Sequence, residues 1–255
     1  MFKKYNDNIT LLNVMRKIQL QALMQGLYTT NDYFVSIPLD KSAKGYEEEY
    51  HQVIIDPDGK ERNLLKERDY RLSCIKEITD YLDTFNSGKI LDIGCGLGWL
   101  LSYLDGDWDK YGVEISKFAS NHAKQYGHIF NGTLEGFSSS SKFDVIVMNH
   151  VIEHLKDPIC AIKKIRNMLN DKGVFIIGTP DFDCAAARRY GDRFRLLNDP
   201  THISLFSIDS MHRCLRDNGF KIEKVEFPYF DTPWFNKNNL NKILDDKGLS
   251  PPFYG

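Results

Sequence analysis

Apolar residues recur along this chain with two different periods. Ile9, Leu12, Met15, Ile18 and Ala22 fall at three- and four-residue steps before Gly26, which predicts an amphipathic helix over 7–25. Residues 28–63 are less regular and rich in aromatics and charge, with Glu47, Glu48 and Glu49 reading as a solvated face. Val53-Ile-Ile55 followed by Asp56-Pro-Asp-Gly59 predicts a short strand and tight turn, half of a hairpin. A helix from Leu65 to Leu82 leads onward.

From there short apolar runs alternate with helical patterns. Strands are expected at 89–93, 110–114, 128–130, 143–148 and 174–177. Between them fall a helix from Trp99 to Leu104, one capped by Ser116 and running to Tyr126 before Gly127, and one opened by Asp157-Pro158. Asp171-Lys-Gly173 turns the chain into the fifth strand. Ser207 opens a last helix carrying Ile208, Met211 and Leu215, closed by Asn218-Gly219, and the alternation in 220–227 predicts a further strand. Regular alternation of strand and helix is the pattern of an α/β fold, a doubly wound and mostly parallel sheet. The expected organisation is an N-terminal helical cap over 1–65, a core over 66–230, and a lid over 231–255 with the aromatic–proline patches Thr232-Pro-Trp-Phe235 and Pro251-Pro-Phe-Tyr254. A strand beyond 227 is not evident.

Composition narrows the classes. At 255 residues the chain can bury a large core, and its net charge of −2 gives no electrostatic case for nucleic acid or an acidic membrane. The five cysteines are odd in number and never form a Cys-x-x-Cys pair, which argues against a disulfide framework or zinc cluster and predicts a reducing, cytoplasmic setting. No apolar run has the length of a membrane span, and the N-terminus lacks a signal-like apolar region.

Candidate chemistry begins at Lys89-Ile-Leu-Asp-Ile-Gly-Cys-Gly-Leu-Gly-Trp99, where a strand runs through Gly94, Gly96 and Gly98 into a helix. Such a turn lets backbone approach a ligand and aims free amides at it. Lys110-Tyr-Gly-Val-Glu114 follows as a second strand ending in an acid placed to accept from ribose hydroxyls. NAD is the rival ligand, but its fingerprint needs a small residue where Trp99 stands. Asp92-x-Gly94-x-Gly96-x-Gly98 instead resembles the first motif of class I methyltransferases dependent on S-adenosylmethionine (SAM).

A second stretch strengthens that resemblance. Phe143-Asp-Val-Ile-Val-Met-Asn-His-Val-Ile-Glu-His154, followed by Asp157-Pro158, is similar to the fourth-strand segment of the ubiquinone-pathway-like branch of that family, across residues 88–227. The resemblance implies that Asp92, Gly94 and Gly96 lie under the methionine part of SAM. It places Glu114 on the ribose, Ile115 on adenine with Leu134 and Glu135 beside it, and Asn149 and His150 near the sulfonium. His150-x-x-Glu153-His154 also matches an inverted zinc-protease motif, although here it straddles a strand end. Relatives that hold a divalent ion imply Glu153, His154 and His202 as candidate ligands. The histidine at 150, where those relatives carry glutamate, favours a softer metal or none, the alternative being that Glu153-His154 orders the strand-to-helix connection by hydrogen bonds.

Beyond the fifth strand, Arg188, Arg189, Arg193 and Arg195 cluster around Tyr190. Tyr190, Arg193 and Arg195 are candidate contacts for an anionic acceptor, the alternative being a solvated basic helix with Asp181, Asp183 and Asp192 as partners. The expected function is therefore SAM-dependent methyl transfer to a small molecule, with a hydroxyl as acceptor and His150 and His202 as base candidates. The terminal extensions resemble methyltransferases of bacterial surface-polysaccharide clusters, which implies a sugar or phosphate-bearing precursor. A SAM-fold subunit without activity and an NAD-dependent oxidoreductase are the alternatives.

Overall fold

A computed structural model describes residues 29–30, 33–37, 50–51, 54–55, 61–184, 187–188 and 199–228. The helix expected over 7–25 and the lid over 231–255 lie outside the described residues. Of the cap, two short strands β1 (Thr29–Thr30) and β2 (Val35–Ser36) pair antiparallel. The expected hairpin forms: β3 (Ile54–Ile55) pairs antiparallel with β4 (Glu61–Arg62), Ile54 opposite Arg62.

The single helix expected over 65–82 is two, α1 (Arg68–Ser73) and α2 (Lys76–Leu82). The Ser73 hydroxyl and the Cys74 thiol both donate to the Tyr70 carbonyl, at 2.6 and 3.2 Å. Such local side-chain bonds compete with the helical ladder, and Ile75 leaves helical geometry at φ −123°. Then come β5 (Gly88–Ile93), α3 (Trp99–Tyr103), β6 (Trp108–Glu114) and α4 (Lys117–Ala123). Ser116 caps α4 as expected, accepting from the Ala119 amide at 3.2 Å. That helix stops short of Tyr126, and Gly127 passes so close to β6 that a Cβ there would stand 2.6 Å from the Lys110 carbonyl oxygen.

β7 (His128–Asn131) and β8 (Phe143–Asn149) follow, then a 3-10 turn over Ile152–His154 and α5 (Pro158–Met168), where the Asp157 carboxylate accepts from the Cys160 amide at 2.9 Å. β9 (Leu169–Gly178) absorbs the turn expected at 171–173 as an irregularity, because its pairing with β8 jumps from Phe143–Leu169 to Val145–Val174. β10 (Ser204–Leu205) pairs with β2, and α6 (Ile208–Asp217) starts with a reciprocal Ser207–Ser210 cap and closes at Asn218 before Gly219 at φ +84°. Residues 220–227 are not a strand. The alternation is there, but Val225 and Phe227 are exposed, and among the described residues no strand lies beside them to complete a ladder.

The central sheet is wholly parallel, in the order β7-β6-β5-β8-β9. Strands buried on both faces explain the near-continuous apolar runs of β5 and β8. On one face Leu91, Ile93, Ile146 and Met148 pack with Ile162 and Ile165 of α5 and Met211 and Leu215 of α6. On the other, Ile90, Val145 and Val147 pack with Leu82, Leu100, Leu101 and Ala123 from α2, α3 and α4. The chain runs outward from β5 to β7 and returns to the other side of β5 at β8. The carboxyl ends of β5 and β8 thus flank the switch point, where ligands bind in open α/β sheets.

Candidate active site

The glycine turn leaves β5 with Gly94, Gly96 and Gly98 all at positive φ, between +52° and +82°. The Gly94 and Cys95 amides both donate to the Val113 carbonyl, at 2.8 and 3.2 Å, so β6 fixes the turn. A Cβ on Gly98 would stand 2.9 Å from that of Ala123, whereas one on Gly96 would meet nothing within 4 Å. Gly98 serves packing and Gly96 faces open space. Trp99 is the first residue of α3, and its indole donates to the Leu64 carbonyl at 3.0 Å.

Two buried carboxylates line this turn. Glu114 ends β6 and accepts from the Gly96 and Ser116 amides, one on each oxygen, at 2.8 and 2.7 Å. Burial pushes its pKa up, and the amides of Ser116 and Gly96 oppose that without cancelling it. Each oxygen keeps a lone pair for a further donor. Asp92 is 6% exposed and has no hydrogen-bond partner among the described residues. Burial, and then the charge of Glu114, raise its pKa to about 7. This acid is poised to ionise when a cation arrives.

Ile115, expected against adenine, is 58% exposed at the end of β6. Asn131 donates to the Glu114 and Ile115 carbonyls at 2.9 and 3.1 Å and holds that strand end in place. Of the other two residues expected there, Glu135 is exposed, whereas the Leu134 side chain lies in the core near Val113 and Phe137. Lys164 of α5 donates to the Glu135 and Phe137 carbonyls at 2.9 and 2.6 Å, fastening this loop to the body of the domain.

Asn149 ends β8, and His150 follows with its ring largely exposed at φ +53°. Its Nδ1 lies 3.3 Å from Glu153 Oε1. Glu153 is fully buried, and Thr179 Oγ1 donates to its other oxygen at 3.0 Å, while Oε1 accepts no hydrogen bond. Burial pushes the Glu153 pKa up, but His150 and His154 together outweigh it and hold the carboxyl below its ordinary value. His154 Nδ1 lies 3.0 Å from the Thr201 carbonyl, which can only accept, so Nδ1 carries a proton.

His202 is 7% exposed, its ring centroid 4.9 Å from that of His154. Its Nε2 is 3.9 Å from Asp199 Oδ2. Glu153, His154 and His202 each offer a ligand atom within 4.8 Å of the others. β10 secures the group: the Ile203 amide donates to the Glu153 carbonyl at 2.8 Å and Ser204 Oγ to the Leu155 carbonyl at 2.7 Å. Thr179 and Asp199 escaped the sequence reading, because nothing local ties Thr179 to a carboxylate 26 residues upstream. The turn Gly178-Thr179-Pro180-Asp181 at a strand's carboxyl end was the signal that pointed there.

On the acceptor side, Arg188 pairs with Asp183 through Nε and Nη2, at 3.0 and 2.7 Å. That favours the basic-helix reading for this one arginine. Tyr190, Arg193 and Arg195 lie outside the described residues. Among the described residues no helix is long and apolar enough to cross a membrane.

Comparison with known proteins gives the same assignment. A family model described as a methyltransferase domain matches residues 65–225. The ubiquinone biosynthesis O-methyltransferase of Parvibaculum lavamentivorans is 34% identical over 144 residues, 49% of this chain and 56% of that protein. An uncharacterized protein of Methanocaldococcus jannaschii is 27% identical over 70% of this chain and 80% of its own length. The chain thus spans a little over half of the first curated relative. In structure, a SAM-dependent methyltransferase of Thermotoga maritima superposes with a TM-score of 0.50 at 24% identity, covering 60% of this chain and 73% of that one. Magnesium protoporphyrin IX methyltransferase of Synechocystis superposes at 0.51 with 18% identity, over 67% and 84%. At these identities the superpositions speak for the fold, and the family match covers more than half of the sequence. The chain belongs to the methyltransferase-domain family of class I, SAM-dependent methyltransferases.

Proposed function

We propose that this protein transfers a methyl group from SAM to a hydroxyl of a small, anionic acceptor, with His150 as general base. The observation that carries this reading is one juxtaposition. An open glycine turn with the partnerless acid Asp92 stands beside an exposed imidazole backed by a buried carboxylate. The residues fit the cofactor: Asp92 suits its ammonium group, Glu114 has lone pairs for the ribose hydroxyls, and Ile115 offers an exposed apolar surface to adenine, with exposed Glu135 on the loop that the buried Leu134 anchors. SAM supplies a methyl group already activated by a sulfonium leaving group. The protein's own task is orientation and removal of the acceptor proton.

With Nδ1 of His150 turned to Glu153, the acceptor proton passes to Nε2. The buried carboxylate then stabilises the imidazolium, the usual relation of a base to the group that orients it. His202, the other base candidate, is buried at 7% exposure, whereas the His150 ring is largely exposed, which supports His150 as the base. Oxygen as the target is supported by the ubiquinone biosynthesis O-methyltransferases among the relatives. Anionic character rests on Tyr190, Arg193 and Arg195 as read in the sequence, so sugars and phosphate-bearing precursors head the acceptor screen. The test is transfer of labelled methyl across that screen with His150→Ala as control. A turnover loss of roughly 10²–10⁴ at unchanged SAM affinity supports the reading. Full activity in that variant removes His150, and SAM binding without product from any acceptor favours a binding subunit.

A second reading has its own observation, the Glu153 Oε1 that accepts no hydrogen bond, grouped within 4.8 Å with ligand atoms of His154 and His202. Glu153, His154 and His202 would hold a divalent ion there, and it would supply Lewis-acid polarisation of the acceptor oxygen. Loss of turnover on chelation, restored by added metal, would favour this reading over the metal-free one.

A further inference from the structure

Two glycines border the turn Asn149-His150-Val151, one from each strand that flanks β8. Gly94 follows β5, and a Cβ built on it would stand 2.4 Å from Val151 Cγ2. Gly178 ends β9, and a Cβ there would stand 2.0 Å from Asn149 Oδ1. The branched Val151 side chain occupies the volume that a Cβ on Gly94 would need, and the Asn149 carboxamide would have to swing out of its place to admit one on Gly178. Between them the His150 amide donates to the Gly178 carbonyl at 2.9 Å. His150 is the single non-glycine residue at positive φ among the described residues. A side-chain-bearing residue keeps that conformation only where its surroundings over-determine it.

Gly94 has a backbone reason to be glycine, since its φ is +73°. Gly178 has none: it is not among the glycines at positive φ, and it continues β9 in register opposite Asn149. At 178 the Asn149 carboxamide lies over the strand, and a side chain there would displace it. We propose that Gly94 and Gly178 form a clamp that seats Val151 and Asn149 and holds His150 out into the crevice, with Gly178 and Val151 as positioning residues for the transfer step. This rests on the reading of His150 as the base. It also gives the glycine turn a second task, because Gly94 contacts the acceptor side through Val151 while Gly96 faces the open site.

The test is a double-mutant cycle of Gly178→Ala and Asn149→Ala, read by steady-state kinetics and by hydrogen exchange of the His150 amide in the ligand-free protein. Gly178→Ala should lower kcat by roughly 100-fold, the scale of a 1 Å misplacement, with SAM affinity nearly unchanged and His150 amide protection lost. Combining it with Asn149→Ala removes the crowded atom. Protection should return, and the double variant should be no slower than Asn149→Ala alone. Should Gly178→Ala fail to fold while the double variant folds, the crowding is shown directly. Wild-type kcat and exchange in Gly178→Ala would overturn the clamp. So would strictly additive losses without return of protection, or a double variant that folds as badly as the single. If the exchange pattern holds while His150→Ala keeps full activity, the clamp stands and the base assignment falls.

Discussion

Replacing Asp92 by Asn isolates the strongest electrostatic feature of the site. In the ligand-free protein the pKa of Asp92 is raised to about 7 from an ordinary 3.8, first by burial and then by Glu114. Keeping the carboxylate ionised there without a counter-cation costs roughly 4 kcal/mol. The sign follows from the direction. The folded protein holds the proton more tightly than the unfolded chain, so this contribution to stability is fully present below about pH 4 and is lost as pH rises through about 7. Denaturant titrations of wild type and Asp92→Asn between pH 4.5 and 8.5 should diverge, with wild type losing up to roughly 3 kcal/mol relative to the variant. A cation docked on Asp92 favours the ionised form. SAM binding at pH 6 should therefore release a proton, visible as a buffer-dependent heat in calorimetry, and Asp92→Asn should abolish that release. Parallel stability curves for the two proteins, or a binding heat independent of buffer, would refute the reasoning.

Glu114→Ala removes the acceptor of two backbone amides as well as the proposed ribose contact, and should weaken SAM binding by about 1–3 kcal/mol in calorimetry. Lys164→Met should weaken SAM affinity several-fold without lowering kcat, because it frees the loop carrying Glu135; a kcat effect at saturating SAM would contradict that role. Excess chelator should leave turnover intact on the metal-free reading, and a stoichiometric transition metal in the purified protein would count against it. Ile146→Ala, fully buried at the centre of the sheet, should cost about 2–5 kcal/mol in denaturant unfolding while SAM affinity in the folded protein is retained.

The core was legible because its signals are local and redundant. Apolar runs such as Val145–Met148, caps such as Asp157-Pro158 and Ser207, and the stop at Gly219 each mark an element unaided. The misreadings occurred where a distant or competing contact decides. Two side chains sharing the Tyr70 carbonyl divide the helix expected over 65–82. Residues 220–227 carry strand alternation, yet a strand exists only beside a partner, which alternation does not supply. At the site, the spacing of Asp92, the glycines and Glu114 marked the strand, turn and helix that the structure forms there. The geometry on the acceptor side did not show in sequence: Thr179 reaching Glu153, His154 reaching the Thr201 carbonyl, and Val151 and Asn149 seated on glycines of two other strands. Each joins residues far apart in the chain, and their chemistry alone does not select the partner.

The central claim is that the glycine turn, Asp92 and Glu114 form a SAM site. Calorimetric titration of the intact protein with SAM, S-adenosylhomocysteine and NAD tests it most directly. SAM and its demethylated product should bind with micromolar affinity, Glu114→Ala should weaken both, and NAD should give no saturable heat. Saturable NAD binding that Glu114→Ala abolishes, with none for SAM, would contradict the account.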